Sequence, residues 1–281
     1  MGIGSGPRPG KPYLAGAPML VAHRGGSGIV PENTMEAFRQ AVDVWRADML
    51  EMDVRVTRDG VPVVIHDETV DRTTDGSGRV ADLTLAEIRT LDAGYRFRDP
   101  EGRAPYRERG VRIPTLDDVL AAFPGVWINL ESKEAAAAGP LVEAVRRHEA
   151  EARVLVAAEY ERWRRKARGY CGPWGASRHH VILFRVLSGL PWAAGYTPRV
   201  DVLQIPETWK GWRIVTRRLI AQAHRKNIPV QVWTVDDPAA MVRLLDWGVD
   251  GIQTDRPDVL ARVLHERYGR PVAPGLEGEG Q

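Results

Sequence analysis

Cysteine is nearly missing from this 281-residue chain: Cys171 stands alone, so no internal disulfide forms and no thiolate cluster holds zinc. Long apolar runs are missing too. No uncharged stretch reaches the roughly 18 residues that a membrane-spanning helix needs. The segment from Met1 to Pro18 is rich in Gly and Pro and lacks a continuous apolar core, so it reads as neither signal peptide nor anchor. An excess of one charge sign is also absent, because 39 basic residues face 37 acidic ones for a net charge of +2. That balance argues against nucleic acid as a partner. One local basic cluster, Arg162, Arg164, Arg165, Lys166 and Arg168, reads as a solvated helix face. These absences describe a soluble cytoplasmic protein, with a loose tail over 1–17 and another over 271–281.

With 43% hydrophobic and 27% charged residues, the chain has the composition of an ordinary globular domain and the length for one large α/β unit over 18–265. Short β-prone runs recur at Met19 to Ala22, Leu50 to Val54, Val126 to Leu130, Val154 to Ala157, Val200 to Ile205, Pro229 to Val235 and Val249 to Gln253. Helix-period segments separate most of them. One starts at Asn33, a cap residue with Glu36 three positions on, and Thr84 with Glu87 and Thr115 with Asp118 repeat that signature. Alternating strands and helices predict a (β/α)8 barrel of the TIM type. The eighth strand is weak and falls near Tyr170 to Ser177, where Gly and Pro interrupt the pattern. Between about 55 and 113 the rhythm breaks. The turn Arg58-Asp59-Gly60 predicts a hairpin that leaves the barrel after the second strand and returns to deliver His66, followed by a polar stretch and one short helix.

Chemistry concentrates on three strand ends. Side chains alternate faces along a strand, so Glu51 and Asp53 share one face, as do Asn129, Glu131 and Lys133. Three carboxylates brought together cost several kcal/mol unless bases or a cation sit among them, and a hard divalent cation is the simplest answer. An ion-pair layer with Arg24 and Lys133 is the bland alternative. His23-Arg24-Gly25-Gly26 follows the first strand, at the rim where barrel active sites are built. The His can move a proton, the Arg can grip phosphate, and the glycines let backbone amides approach an anion. His66 supplies a second imidazole, and the pair would serve as general base and acid in cleaving a phosphate ester.

The ordered set His23-Arg24-Gly25, Pro31-Glu32-Asn33-Thr34, Glu51-x-Asp53, Thr57-x-Asp59-Gly60, His66-Asp67 and Asn129-x-Glu131-x-Lys133 resembles the glycerophosphodiester phosphodiesterase family. Pro114-Thr115-Leu116, Trp233-Thr234-Val235, Gly248-Val249-Asp250-Gly251 and Thr254-Asp255-Arg256-Pro257 extend the likeness over about His23 to Leu260. The resemblance implies a barrel with an insertion after the second strand, His23 and His66 as acid/base catalysts, and Glu51, Asp53 and Glu131 as ligands of one Mg2+ or Ca2+. It further implies Arg24 and Lys133 as phosphate contacts. His66 would protonate the leaving alcohol, and His23 would activate an attacking hydroxyl of water or of the substrate itself.

Two departures bear on substrate choice. Ala157, Ala158 and Glu159 stand where family members often have two serines and an aromatic residue, and Asp236 replaces the usual Asn. Glu159 either adds a charge to the barrel mouth or points to solvent. Trp233 shares a strand face with Gln231 and is expected to wall the glycerol or headgroup site, with Gln204 as a further pocket residue. The expected substrates are glycerophosphodiesters, cut to an alcohol and sn-glycerol 3-phosphate. A lysophospholipase D acting on lysophospholipids is the alternative, suggested by Leu203-Gln204-Ile205-Pro206 and by the apolar segment 181–196, which would be either a buried barrel helix or a transient membrane contact. A noncatalytic phosphate-binding barrel is the reading of another class, and the two histidines weigh against it.

Overall fold

In the computed structural model, which describes residues 18–167, 169–187 and 196–277, parallel strands run around a ring. These are β1 (Met19–Ala22), β2 (Met49–Val56), β4 (Trp127–Ser132), β5 (Val154–Ala158), β6 (Leu203–Pro206), β9 (Val230–Trp233) and β10 (Gly251–Thr254). Their lateral order is β5, β4, β2, β1, β10, β9, β6. The gap between β5 and β6 is filled by the weak segment expected from the sequence: Trp174 bridges to Val156 and Gly175 to Val202, both parallel. Eight positions in chain order close the barrel. Gly175 is required by the closeness of its neighbours, since a Cβ there would lie 2.7 Å from the Gln204 side-chain oxygen and 2.9 Å from Ala157 Cβ.

The N-terminal end of the barrel is plugged by Met19, Val21, Met49, Leu155 and Val202, with Trp127 against them. Above that plug the lining turns polar. Gln204 donates Nε2–H to Gln231 Oε1 at 3.1 Å, and Glu51, Asn129 and Gln253 are buried beside them in strand register. A second apolar layer separates the strands from helices α1 (Met35–Arg39), α3 (Leu116–Ala122), α4 (Ala138–Arg147), α6 (Arg178–Leu187), α7 (Arg217–Arg225), α8 (Pro238–Asp246) and α9 (Pro257–Tyr268). The short α5 (Glu161–Arg164) follows β5.

The hairpin lies where the sequence places it. β3 (Pro62–Val64) runs antiparallel to β2, and Gly60 turns with φ +82°. Residues that follow, including Val70, Val80, Ile88, Ala93 and Val111, form a small core of their own with Val63 and Ile65, and α2 (Leu85–Ile88) carries the expected Thr84 and Glu87 capping box. The helix expected to start at Asn33 is capped by Thr34 instead, whose hydroxyl accepts from Ala37 N. Asn33 sits at φ +57° with its amide committed to Asp53, so it is not available as a cap. The expected fraying from Pro271 is also corrected: Ala273 is buried, Gly275 fits against Trp45, and Leu276 packs on the core. The segments 1–17 and 278–281 lie outside the described residues. No helix among the described residues is long and apolar enough to cross a membrane.

Candidate active site

Because β2 and β4 pair with Glu51 opposite Asn129 and Asp53 opposite Glu131, all four side chains project toward the barrel axis at one level and the next. The carboxylates of Glu51, Asp53 and Glu131 each place an oxygen within 4.8 Å of the others. Glu51 and Asp53 are almost wholly buried. Burial first, and then the neighbouring carboxylate of Asp53, push Glu51 above its ordinary range, and burial does the same to Glu131. Burial would also raise Asp53, but Lys133 and Arg24 outweigh it and hold that carboxyl ionised. Lys133 Nζ lies 3.2 Å from Asp53 Oδ1 and 3.1 Å from Glu131 Oε2.

Two histidines flank this group. His23 follows β1 directly and donates Nδ1–H to Asp255 Oδ1 at 2.6 Å, while its Nε2 lies 3.8 Å from Glu51 Oε2. Burial alone would lower its pKa, yet Glu51 and then Asp255 pull it up to about 9. His66 follows the hairpin and its Nδ1 donates to Asp67 Oδ1 at 2.6 Å. Arg55 Nε fixes the His66 carbonyl at 2.8 Å. His66 lies near enough to Asp53 and Glu131 to act on both carboxylates. The structure thus gathers His23, His66, Glu51, Asp53, Glu131, Arg24 and Lys133 at the C-terminal mouth of the barrel.

Arg24 occupies φ +50° between β1 and the left-handed Gly25 and Gly26. Its amide donates to Glu51 Oε2, and its guanidinium reaches Glu32 at 3.0 Å and Asp53 at 3.2 Å. Gly25 is dictated by packing as well as by φ, since a Cβ would lie 2.6 Å from Ala37 Cβ.

The expected pocket residues divide. Gln204 faces inward but spends its amide on Gln231. Trp233 stands at the end of β9 on the Gln231 face, 41% exposed at the open mouth. Glu159 follows β5, is exposed, and approaches Arg178 to 3.8 Å.

Several contributors were not assigned a role from sequence. Asp255 holds His23, and Asp236 holds Asp255 in turn by accepting from its amide and from Thr254 Oγ1, both at 2.8 Å. Arg72 binds Asp67 and Glu32 together, with Nη1 2.7 Å from Glu32 Oε2 and Nη2 3.2 Å from Asp67 Oδ1. Asn33 Nδ2 donates to Asp53 Oδ2 at 3.0 Å. Among the described residues, Asn129 Oδ1 is buried without a hydrogen-bond partner. The only signals for Asp255, Glu32 and Asn33 were their places in the Thr-Asp-Arg-Pro and Pro-Glu-Asn-Thr runs; Arg72 had none.

An all-oxygen donor set with a neighbouring orphaned carbonyl oxygen suits a hard divalent cation. Buried carboxylates whose protonation is favoured by mutual repulsion are what such an ion would relieve.

Comparison with known proteins identifies the family of the chain. Residues 23–259 match the profile of the glycerophosphoryl diester phosphodiesterase family. A glycerophosphodiester phosphodiesterase of Caldanaerobacter subterraneus is 34% identical over 257 residues, covering 88% of this chain and 98% of that protein. A probable glycerophosphodiester phosphodiesterase 2 of Mycobacterium tuberculosis is 34% identical over 259 residues, covering 90% and 92% respectively. The crystal structure of the Agrobacterium tumefaciens glycerophosphodiester phosphodiesterase superposes with a TM-score of 0.70 at 27% identity, over 86% of this chain and 99% of that one. The chain belongs to the glycerophosphoryl diester phosphodiesterase family of enzymes.

Proposed function

We propose that this enzyme hydrolyses glycerophosphodiesters to an alcohol and sn-glycerol 3-phosphate by acid/base catalysis from His23 and His66. The observation that carries this reading is the pair of imidazoles, each with Nδ1 bonded to a carboxylate at 2.6 Å, on either side of the three clustered carboxylates. A carboxylate on Nδ1 fixes the ring's orientation and leaves Nε2 to exchange a proton with substrate. His23 Nε2 accepts the proton of the attacking hydroxyl as the new P–O bond forms. His66 gives its proton to the departing alkoxide as the old P–O bond breaks, so the alcohol leaves neutral.

Glu51, Asp53 and Glu131 would hold the divalent cation, Mg2+ or Ca2+, which when bound supplies positive charge to the phosphoryl oxygens and offsets the pull of Glu51 on His23. Arg24 and Lys133 border the same space and would contact the remaining phosphate oxygens. Both are charged at all working pH values, because the carboxylates around them overcome the cost of burial.

The test is product analysis on glycerophosphocholine and lysophosphatidylcholine in parallel, using chelator-stripped protein given back Mg2+ or Ca2+. Metal-dependent choline release from the soluble diester supports the proposal, and silence on it refutes the proposal. Release from the lysolipid alone would make the enzyme a lysophospholipase D, the second reading, which is favoured by exposed Ile182 and Val186 on α6. Residues 188–195 of the apolar segment 181–196 lie outside the described residues.

A further inference from the structure

Outside the barrel mouth, exposed apolar and basic side chains collect in one continuous region. After β6 the chain makes a two-strand hairpin, β7 (Thr208–Trp209) and β8 (Trp212–Arg213), in which Trp209 pairs with Trp212. Its two turn residues, Lys210 at φ +48° and Gly211 at φ +80°, have the signs of a type I′ turn. Residues directly opposite in an antiparallel pair share a face, so this turn sets two tryptophans side by side. Trp209 is 44% exposed and Trp212 77%. Large aromatic rings left in water on a built turn mark a contact surface.

The surface extends from that hairpin. Arg178 lies over the Trp209 ring at 5.0 Å, as does Lys210 Nζ. Arg178 begins α6, and positions four apart on a helix share a face, so Arg178, Ile182 and Val186 form one outward stripe. Ile182 is 49% exposed and Val186 57%. Beside Arg178, His179 and α5 line a cavity of about 720 Å3 together with Glu161, Arg162, Arg165 and Lys166. Glu161 is turned toward Arg164, Ser177 and His180. Arg162 lies over Tyr160 and Trp163, and among the described residues neither it nor Lys166 has a carboxylate at ion-pair distance. Arg162, Arg165 and Lys166 of the basic cluster therefore form a shelf beside the apolar stripe, and Arg168 lies outside the described residues.

We infer that this region docks the enzyme on an anionic lipid bilayer, with Trp209, Trp212, Ile182 and Val186 entering the interface and Arg162, Arg165, Lys166 and Lys210 meeting the headgroups. The choice of occupant rests on charge complementarity. Tryptophan settles at the headgroup level because its ring is apolar and its N–H polar, and each basic residue near an anionic surface adds to binding. A soluble acidic protein would meet the basic shelf but would leave the Trp209 and Trp212 rings and the α6 stripe without an apolar partner. The docking goes beyond the proposed hydrolysis and does not depend on it.

Cosedimentation of the full chain with phosphatidylcholine vesicles, with and without phosphatidylglycerol, tests it, with tryptophan emission read on the same samples. The wild type is expected to pellet with the anionic vesicles only, to shift its emission to the blue, and to be released by added salt. Trp212→Ser and the double variant Arg162→Glu/Lys166→Glu should each weaken partitioning by about tenfold or more. Both leave hydrolysis of soluble glycerophosphocholine at the wild-type rate, which shows that they fold. Wild type remaining in the supernatant, equal binding to neutral vesicles, or variants that bind like wild type would each overturn the inference. Loss of a dimer in Trp212→Ser without vesicle binding would assign the surface to a second copy of the chain instead. Failure of hydrolysis with intact vesicle binding would sink the catalytic proposal alone.

Discussion

His23 Nδ1 lies 2.6 Å from Asp255 Oδ1, so the residue after the first strand of the barrel is oriented by the residue after the last. β1 and β10 are neighbours with Ala22 level with Thr254, which brings the two side chains together although 232 residues separate them. Asp255→Asn keeps the size and removes the anionic acceptor. It should lower kcat about 10²-fold with a smaller effect on KM, because it disturbs the ring that exchanges the proton and not the binding of substrate. Steady-state kinetics on glycerophosphocholine check this; wild-type kcat would remove Asp255 from the account. Asp236→Asn, by contrast, keeps the oxygen that receives the Thr254 hydroxyl and the Asp255 amide, so its activity should stay near wild type.

Arg72 ties the segment after the hairpin to the barrel rim by gripping Asp67 and Glu32 at once. A lysine has a single charged point and cannot span both carboxylates. Arg72→Lys is expected to cost about tenfold in kcat through misplacement of His66.

The same contacts predict an acid dependence. Burial would raise the Asp67 pKa, but Arg72 and then His66 bring it down to about 2, against about 3.9 for an unfolded aspartate. A depressed carboxyl contributes stability that is complete above the unfolded pKa and is lost as pH falls through the folded one. The contribution of Asp67 is therefore full above about pH 4 and gone below about pH 2. In Arg72→Gln its pKa should return toward the ordinary value, so acid unfolding begins at higher pH. Circular dichroism across that window reads the shift, and coincident acid transitions would count against the clamp.

Strand alternation made Glu51, Asp53, Glu131 and Lys133 legible in the sequence, since period 2 alone puts them on shared faces. The barrel followed from the rhythm of strands and helices. Contacts made by tertiary closure left little local trace. Asp255 meets His23 only because the ring closes, and Arg72 sits in a polar stretch whose composition resembles any loop. Asn33 misled because a cap signature and an Asp53 contact use the same residue type. Glu159 meets Arg178, a residue 19 positions on at the start of α6, and such a contact leaves no local trace in the sequence.

The weak strand offers a stability test. Trp174 bridges to Val156 of β5 and Gly175 to Val202 just before β6, each through a single bridge, and a Cβ on Gly175 would press on Gln204 and Ala157. Gly175→Ala should destabilise by about 1–3 kcal/mol, the usual cost of overpacking a close contact. Urea unfolding should show a lower midpoint with an unchanged slope, and an unaltered midpoint would mean that the ring yields freely at this position.

Removing the cation distinguishes a metal site from an ion-pair layer. If Glu51, Asp53 and Glu131 bind an ion, the stripped protein carries uncompensated repulsion, and restoring Mg2+ or Ca2+ at about 100 times its Kd should add about 2.7 kcal/mol. For a chain of this size that is a rise in Tm of about 5–10 °C. Glu131→Gln should abolish most of the rise while relieving repulsion in the stripped state. An ion-pair layer with Arg24 and Lys133 makes the opposite forecast: no ion-dependent shift, and a loss of about 3–5 kcal/mol on Glu131→Gln, because Lys133 would lose a partner while buried. Thermal unfolding of wild type and variant, each with and without the ion, separates the two by the sign of the variant's effect in the stripped protein.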